Sequence, residues 1–316
     1  MVVTGTLAGM FVPQPLSEST RRRLLTGGVD PDAVAAVVRA AVAEDLMGGR
    51  DVTSDATVPD GQLSTATFGA RADGVVAGLA VAAAVIDTVC GAEASDFEYL
   101  VSDGDRVGPG TEVARVTAPT RALLTAERTA LNLLCHLSGV ATLTRRWADA
   151  LDGTPARVRD TRKTTPGIRF LEKYAVRCGG GVNHRMGLSD AALVKDNHVA
   201  AAGGITAAIT AVREHAADVP VQVEVDSLDD LAEALAAGAD DVLLDNFDVG
   251  QMVAAVAMRD DRAPHVVLEA SGGLTVATAA EVGAAGVDHI AVGELTHSAR
   301  VLDLGLDLVA VIDQYP

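Results

Sequence analysis

Residues 220–247 read "PVQVEVDSLDDLAEALAAGADDVLLDNF". Two short apolar runs, around Val221–Val225 and Val242–Leu244, flank an Ala-rich segment with leucines at helical spacing. Ser227 stands where a helix N-cap belongs, and Asp230 three residues on resembles a capping box. Each apolar run ends in polar residues: Glu224-Val225-Asp226, then Asp245-Asn246. The stretch reads as a strand–helix–strand unit with its chemistry at the C-terminal ends of the strands.

The same pattern repeats on both sides. Further strands are predicted at "ARVRDTRK", "AALVKDNH", "HVVLEASGG" and "HIAVGELTH", with helices at "ITAAITAVREHA", "VGQMVAAVAMR" and "TVATAAEVGAAG". Six βα units with no G-x-G-x-x-G turn favour a closed α/β barrel over a dinucleotide-binding sheet. In a barrel all the polar strand ends meet at one face, where active sites are built.

The first half differs. A helix is predicted over Asp30–Asp45, with Asp30 as N-cap and Pro31 at the first position. "GGRDVTSDATVPDGQ" reads as loop. Antiparallel β segments follow at "STATFGARADGVVAGLA" and "RVGPGTEVARVTAP", around a helical "AVAAAVIDTVCG". A long helical pattern from Ala122 to Leu151 bridges the halves, with a candidate break at Ser138-Gly139. Residues 1–28 read as a disordered or extended segment. Arg21–Arg23 follow its short apolar stretch instead of preceding it, unlike a signal peptide.

Composition narrows the function. The chain has 316 residues, is 49% hydrophobic and carries a formal charge of −18. That balance argues against general nucleic-acid or membrane-surface binding, and no apolar run suggests a membrane span. Cys90, Cys135 and Cys178 are odd in number and far apart, which fits a reducing cytoplasm better than a disulfide or zinc framework. Yet Asp160–His198 alone holds seven Arg or Lys residues and two His.

That positive charge falls at strand ends. Arg162, Lys163, His184, Arg185 and Lys195 make a pocket for carboxylates or phosphates, which arginine grips bidentately. Glu224 and Asp245, on the middle strands, suit a hydrated Mg²⁺ carrying a polyphosphate, or a positive charge developing in a transition state. Ser271, Gly272 and Gly293, in "EASGG" and "AVGEL", suit a phosphate. Two other readings stay open at this level: a barrel aldolase with Lys195 as Schiff-base nucleophile, and a non-catalytic barrel that binds phosphate metabolites. Among the remaining groups, His136 and His297 read as structural, His215 and His265 as surface residues, and Trp147 as packing. His198 reads as a tie from strand end to loop, and Arg128 as a helix-surface residue.

The long motif "RDTRKTTPGIRFLEKYAVRCGGGVNHRMGLSDAALVKDNH" (159–198), with "VEVDS", "VLLDNF", "LEASGG" and "AVGELTHS", resembles the quinolinate phosphoribosyltransferases, the carboxylating nicotinate-nucleotide pyrophosphorylases. The likeness runs from "EDLMGGRDVTSDAT" to the C-terminus. It implies an open α/β sandwich domain over 29–134, joined by 298–316, and an irregular α/β barrel of fewer than eight strands over 135–297. The implied reaction joins quinolinate to phosphoribosyl pyrophosphate and releases nicotinate mononucleotide, pyrophosphate and CO₂, on the route to NAD. It implies Mg²⁺ and a cytoplasmic homodimer, in some members a larger assembly such as a hexamer. By the same resemblance, Arg162, Arg185, Lys195 and His184 bind the quinolinate carboxylates, and Arg128 reaches the site of the partner subunit. Lys163 lies near the pyrophosphate and ribose, and Glu224 and Asp245 near the ribose hydroxyls or the Mg²⁺ shell. Ser271, Gly272 and Gly293 hold the 5′-phosphate. A sister enzyme acting on nicotinate has one carboxylate to bind, for which three or more cations are excessive.

Overall fold

The computed structural model of the chain describes residues 11–312. Two compact units emerge. One comprises residues 1–142, 170–178 and 299–316; the other comprises 143–169 and 179–298.

The first unit contains helices α1 (Glu18–Thr26), α2 (Pro31–Leu46), α3 (Val52–Thr57) and α4 (Leu79–Cys90), most of α5 (Thr120–Ala150), and α6 (Arg169–Cys178). Its strands are β1 (Leu63–Ala70), β2 (Gly74–Val75), β3 (Asp96–Tyr99), β4 (Arg106–Val107), β5 (Glu112–Pro119) and β12 (Leu304–Ile312). Four of them form an antiparallel sheet in the order β12-β1-β5-β3. The register Leu63↔Ile312 through Ala70↔Leu304 shows how the last strand returns to pair with the first. Helix α4 is buried on every face from Leu79 to Thr88, as its uniformly apolar sequence requires. Helix α2 buries its first residue, Pro31, and the stripe Val34, Val38 and Val42.

Several local expectations need correction here. Within the segment read as extended, residues 1–10 lie outside the described part, but Glu18–Thr26 is helix α1. Ser17 caps it and also binds the buried Asp87, with its N–H and hydroxyl each donating at 2.9 Å. The Arg23 guanidinium lies 3.7 Å from the Tyr99 ring centroid, so part of the basic cluster is stacked on an aromatic face. The loop at 48–62 holds α3, started by Asp51, whose carboxylate accepts from the Thr53 and Ser54 amides.

Helix α5 does not break at Ser138-Gly139; its 31 residues form one rod of about 46 Å. The small residues there serve close approach. The Ser138 hydroxyl accepts from the Ala77 amide at 3.0 Å, and a Cβ at Gly139 would collide with the Arg300 carbonyl. The units divide within this helix, after Thr142 and not at 134. Residues 170–178, inside the long motif, belong to the first unit. There the Tyr174 hydroxyl donates to Asp103 at 2.6 Å, and His136 pairs with the buried Glu172 at 2.8 Å.

The second unit contains β6 (Arg157–Arg159), β7 (Ala192–Val194), β8 (Val221–Val225), β9 (Asp241–Asp245), β10 (Val267–Ser271) and β11 (His289–Ala291). Its helices are α7 (Asp196–Ala202), α8 (Ile205–His215), α9 (Leu228–Ala236), α10 (Val249–Arg262), α11 (Ala279–Ala284) and α12 (Glu294–His297). The six strands are parallel, in the order β6-β11-β10-β9-β8-β7. The first strand of the series therefore lies beside the last, which is the winding of a barrel. The seam falls between β6 and β7, where a single parallel bridge, Arg159↔Val182, extends the ring. This is the irregular α/β barrel that the βα pattern predicts.

Period-two alternation decides what each strand face carries. Val221, Val223, Val242, Leu244, Leu268 and Ile290 are buried on one face, as are Leu231 and Leu235 of α9 and Met252 of α10. The other parity carries Gln222, Glu224, Asp241, Asp245, Glu269, Ser271 and His289. Replacing Gly139 with alanine should destabilise the protein by about 1–3 kcal/mol, because the clash is with backbone. A urea midpoint equal to that of the unsubstituted chain would show that the crossing at Arg300 can give way.

Candidate active site

Three adjoining clefts open at the C-terminal ends of the parallel strands. The central one, about 420 Å³, has Arg162, Lys163, His184, Arg185 and Lys195 on its walls and Leu193, Leu243 and Ala291 among its lining. It combines apolar patches that suit a flat ring with a cluster of cations for its substituents. Glu224 and Asp245 join it to an acidic cleft that also holds Asp196, Asp226 and Asp230. Thr161, Lys163 and Ser271 join it to a third cleft of about 320 Å³, lined by Gly272, Gly273 and Gly293. Of the residues singled out from sequence, all but Arg128 line these clefts. Arg128 lies exposed on α5, in the first unit.

The two arginines are the most telling feature. Arg185 is anchored through one nitrogen, which donates to the Ala191 carbonyl at 2.8 Å. The Nε atoms of both Arg162 and Arg185 are buried without a hydrogen-bond partner. Burial first, and the Arg162 charge second, hold the Arg185 guanidinium below its usual range. Two like charges with unused donors in one pocket call for an anion.

His184 plays a different part from the one expected. Its Nδ1 accepts from the Arg185 amide at 2.7 Å, so its Nε2 carries the proton and donates to Gln222 Oε1 at 2.7 Å. Both ring nitrogens are thus engaged with protein, and the ring fixes the Arg185 backbone. The buried Asp160 accepts the His184 amide at 2.9 Å and the Asn183 side chain at 2.5 Å.

Lys195 pairs with Glu224, and its amide donates to His198 Nδ1 at 3.0 Å, so His198 does tie the strand end to α7. Burial, and then the neighbouring Glu224 charge, raise the Asp245 carboxyl above the usual range, against the pull of Lys195. At the third cleft Gly272 has φ +93°, and a Cβ there would strike the Asn246 side chain. Asn246 itself has φ +57° and donates its amide to the Ser271 carbonyl at 2.9 Å. The turn after β10 therefore requires glycine. The Lys163 carbonyl is held by Thr296 Oγ1 at 2.8 Å while its side chain stays exposed. Trp147 packs as expected, with its indole donating to Glu294 at 3.0 Å.

Beneath the clefts lies a polar network that the sequence reading passed over. Arg159 Nη1 donates to Asp241 at 2.9 Å and to Glu269 at 2.7 Å, and the Gln222 amide donates to Asp241 at 3.0 Å. The signal was alternation within the strands: Gln222, Asp241 and Glu269 share the parity of Glu224, Asp245 and Ser271. The cysteines carry no chemistry here. Burial pushes the Cys90 and Cys178 thiols up to about 12.

Comparison with known proteins identifies this arrangement. The family profile described as quinolinate phosphoribosyl transferase, C-terminal domain, matches residues 140–307, and that of the N-terminal domain matches 51–138. The chain belongs to the quinolinate phosphoribosyltransferase family.

Among its relatives, the carboxylating nicotinate-nucleotide pyrophosphorylase of Mycobacterium leprae is 54% identical over 277 residues, covering 88% of this chain and 98% of that one. The chloroplastic enzyme of Arabidopsis thaliana is 36% identical, over 94% of this chain and 90% of that one. The structure of the nicotinate-nucleotide pyrophosphorylase from Francisella tularensis superposes with a TM-score of 0.81 at 36% identity, over 88% of this chain and 96% of that one.

The ion network makes a prediction about stability. Arg159→Met removes the cation from two carboxylates and should cost about 3–5 kcal/mol at pH 8. The Glu269 carboxyl, already raised to about 7 chiefly by burial, then loses the opposing pull of Arg159, so the folded state takes up a proton more readily and the deficit should shrink towards pH 6. Denaturation midpoints at the two pH values check this; a deficit that grows on acidification would contradict it.

Proposed function

We propose the following division of labour for the reaction of this family, in which phosphoribosyl is transferred from phosphoribosyl pyrophosphate to quinolinate with loss of CO₂. Arg162, Arg185 and Lys195 bind the two quinolinate carboxylates, with His184 setting the Arg185 backbone. The buried, unused Nε donors of the two arginines carry this reading. Lys163 faces the pyrophosphate and ribose, and Ser271, Gly272 and Gly293 cradle the 5′-phosphate.

Glu224 and Asp245 fit a hydrated Mg²⁺. They are neighbouring carboxylates, and the charge of Glu224 helps raise the Asp245 carboxyl. Among the described residues no cluster of three or more acidic, His or Cys groups forms a cage, so the donor set suits an ion bound partly through substrate phosphates. When bound, the ion supplies neutralisation of the leaving pyrophosphate.

The chain's own groups do the rest. Lys163 offsets charge on the departing oxygen, while Glu224 and Asp245 stabilise the cationic ribose ring. The arginines hold the pyridine nitrogen towards C1 of the ribose, so orientation supplies much of the acceleration. Once ribosylated, that nitrogen is positively charged and stabilises the electron pair left as CO₂ departs. No protein nucleophile is required. The working form is a homodimer in which Arg128 of the partner subunit completes the cluster of cations; Arg128 is exposed, as such a role requires.

The decisive assay supplies phosphoribosyl pyrophosphate, Mg²⁺ and quinolinate labelled with ¹⁴C in the 2-carboxylate. Labelled CO₂ and nicotinate mononucleotide are expected, with no mononucleotide from nicotinate; the reverse outcome would transfer the chain to the sister activity. Arg185→Ala should weaken quinolinate binding by about 2–4 kcal/mol, roughly 30- to 1,000-fold, with an unchanged circular dichroism spectrum. Unchanged affinity would remove the clamp assignment. Subunit exchange between inactive Arg128→Ala and Arg185→Ala proteins should restore roughly a quarter of the activity, because each mixed dimer regains one intact site. No recovery would place Arg128 outside the partner's site.

A further inference from the structure

Glu269 is only 1% exposed, yet it forms part of the wall of the central cleft. Its Oε2 accepts from Arg159, whereas its Oε1 has no hydrogen-bond partner. The groups around it come from the two neighbouring strands and the two beyond them: Asp241 on β9, His289 on β11, Gln222 on β8 and Arg159 on β6. His184, in the loop after Val182, places Nε2 3.9 Å from Oε1. One guanidinium thus faces two carboxylates in a largely buried layer, which leaves room for one proton.

That proton belongs on Glu269. Burial above all pushes the carboxyl up to about 7, with the Asp241 charge adding to it, although the charge and the hydrogen bond of Arg159 pull the other way. Burial, and then Arg159, push the His289 imidazole down. The His184 Nε2–H is already given to Gln222, and Lys195 is paired with Glu224. Arginine does not release a proton at ordinary pH.

The reaction needs one proton at this place. Loss of CO₂ leaves an electron pair on a ring carbon where the product carries hydrogen. We propose that Glu269, protonated at Oε1, donates the proton that replaces the departing carboxylate of the acceptor ring. The carbon–carboxylate bond breaks as the proton is transferred, so that CO₂ leaves and the ring carbon is protonated in one step. The electron pair of that bond takes the proton from Oε1, and Glu269 remains as a carboxylate beside Arg159. Water returns the proton before the next turnover. This step rests on the reading of the central cleft as the quinolinate site.

Glu269→Gln keeps the shape and the acceptor for Arg159 but has no acidic proton. A single turnover with quinolinate labelled in the 2-carboxylate follows pyrophosphate and ¹⁴CO₂ separately. Pyrophosphate release is expected to persist while ¹⁴CO₂ release slows by about 100-fold or more, the usual scale of a lost general acid. The fall in kcat of the unsubstituted enzyme as pH rises through about 7, where Glu269 loses its proton, should be absent from the variant. Glu269→Asp, which keeps the acid, should recover part of the ¹⁴CO₂ release. Equal loss of both products would mean a structural role and overturn the proposal, as would a variant indistinguishable from the unsubstituted enzyme. If the unsubstituted enzyme itself releases no CO₂ from quinolinate, the reading of the cleft fails first, and this step with it.

Discussion

One buried cation organises the interior of the parallel sheet. Arg159 reaches from β6 to carboxylates on β9 and β10, which are separated from it in the sheet order by β11. In a ring of six short strands this ties together residues far apart in sequence. The cost of burying such charges is large, so the group is stable only as a set with its hydrogen bonds filled. Barrel interiors are usually filled by branched apolar side chains. Here the layer beneath the cleft is polar, and it supports the residues above it.

The support can be followed bond by bond. Asp241 accepts from Gln222, Gln222 accepts from His184, and His184 accepts from the Arg185 amide. The chain of donors runs from the sheet interior to the backbone amide of an arginine of the anion pocket. It leaves His184 in a single tautomer, while the Arg185 guanidinium is anchored separately on the Ala191 carbonyl and keeps a buried Nε without a partner. An acidic protein can therefore hold a cationic well, because the geometry is set by neutral and paired groups beneath it and net charge acts only at long range.

In the first unit the equivalent role falls to small contacts. Asp103 accepts two backbone amides at the start of α4 and the Tyr174 hydroxyl, which brings α6 to the unit that its place in the chain does not suggest. Ser138 and Gly139 let α5 lie close to Ala77 and Arg300 without bending. Glycine and serine in a helix signal a break only when nothing presses against them; here backbone does.

By itself the sequence determined the repeating βα pattern, the polar ends of its strands and the residues of the cationic cluster. These are local properties: alternation, capping and helical spacing act over a few residues, and a barrel brings all its strand ends to one face. Motif residues such as Arg162, Lys163, Lys195, Glu224 and Asp245 could be named on that basis. Only the tertiary structure decided which of the charged groups stand free and which are consumed. Arg162 and Arg185 keep buried Nε donors, both nitrogens of His184 are spent, and Glu269 keeps an unpartnered oxygen. It also placed residues 18–26 in a helix and 170–178 in the first unit. The reason is physical: a side chain's protonation, pairing and exposure depend on neighbours distant in sequence, and these neighbours are set by strand order and packing.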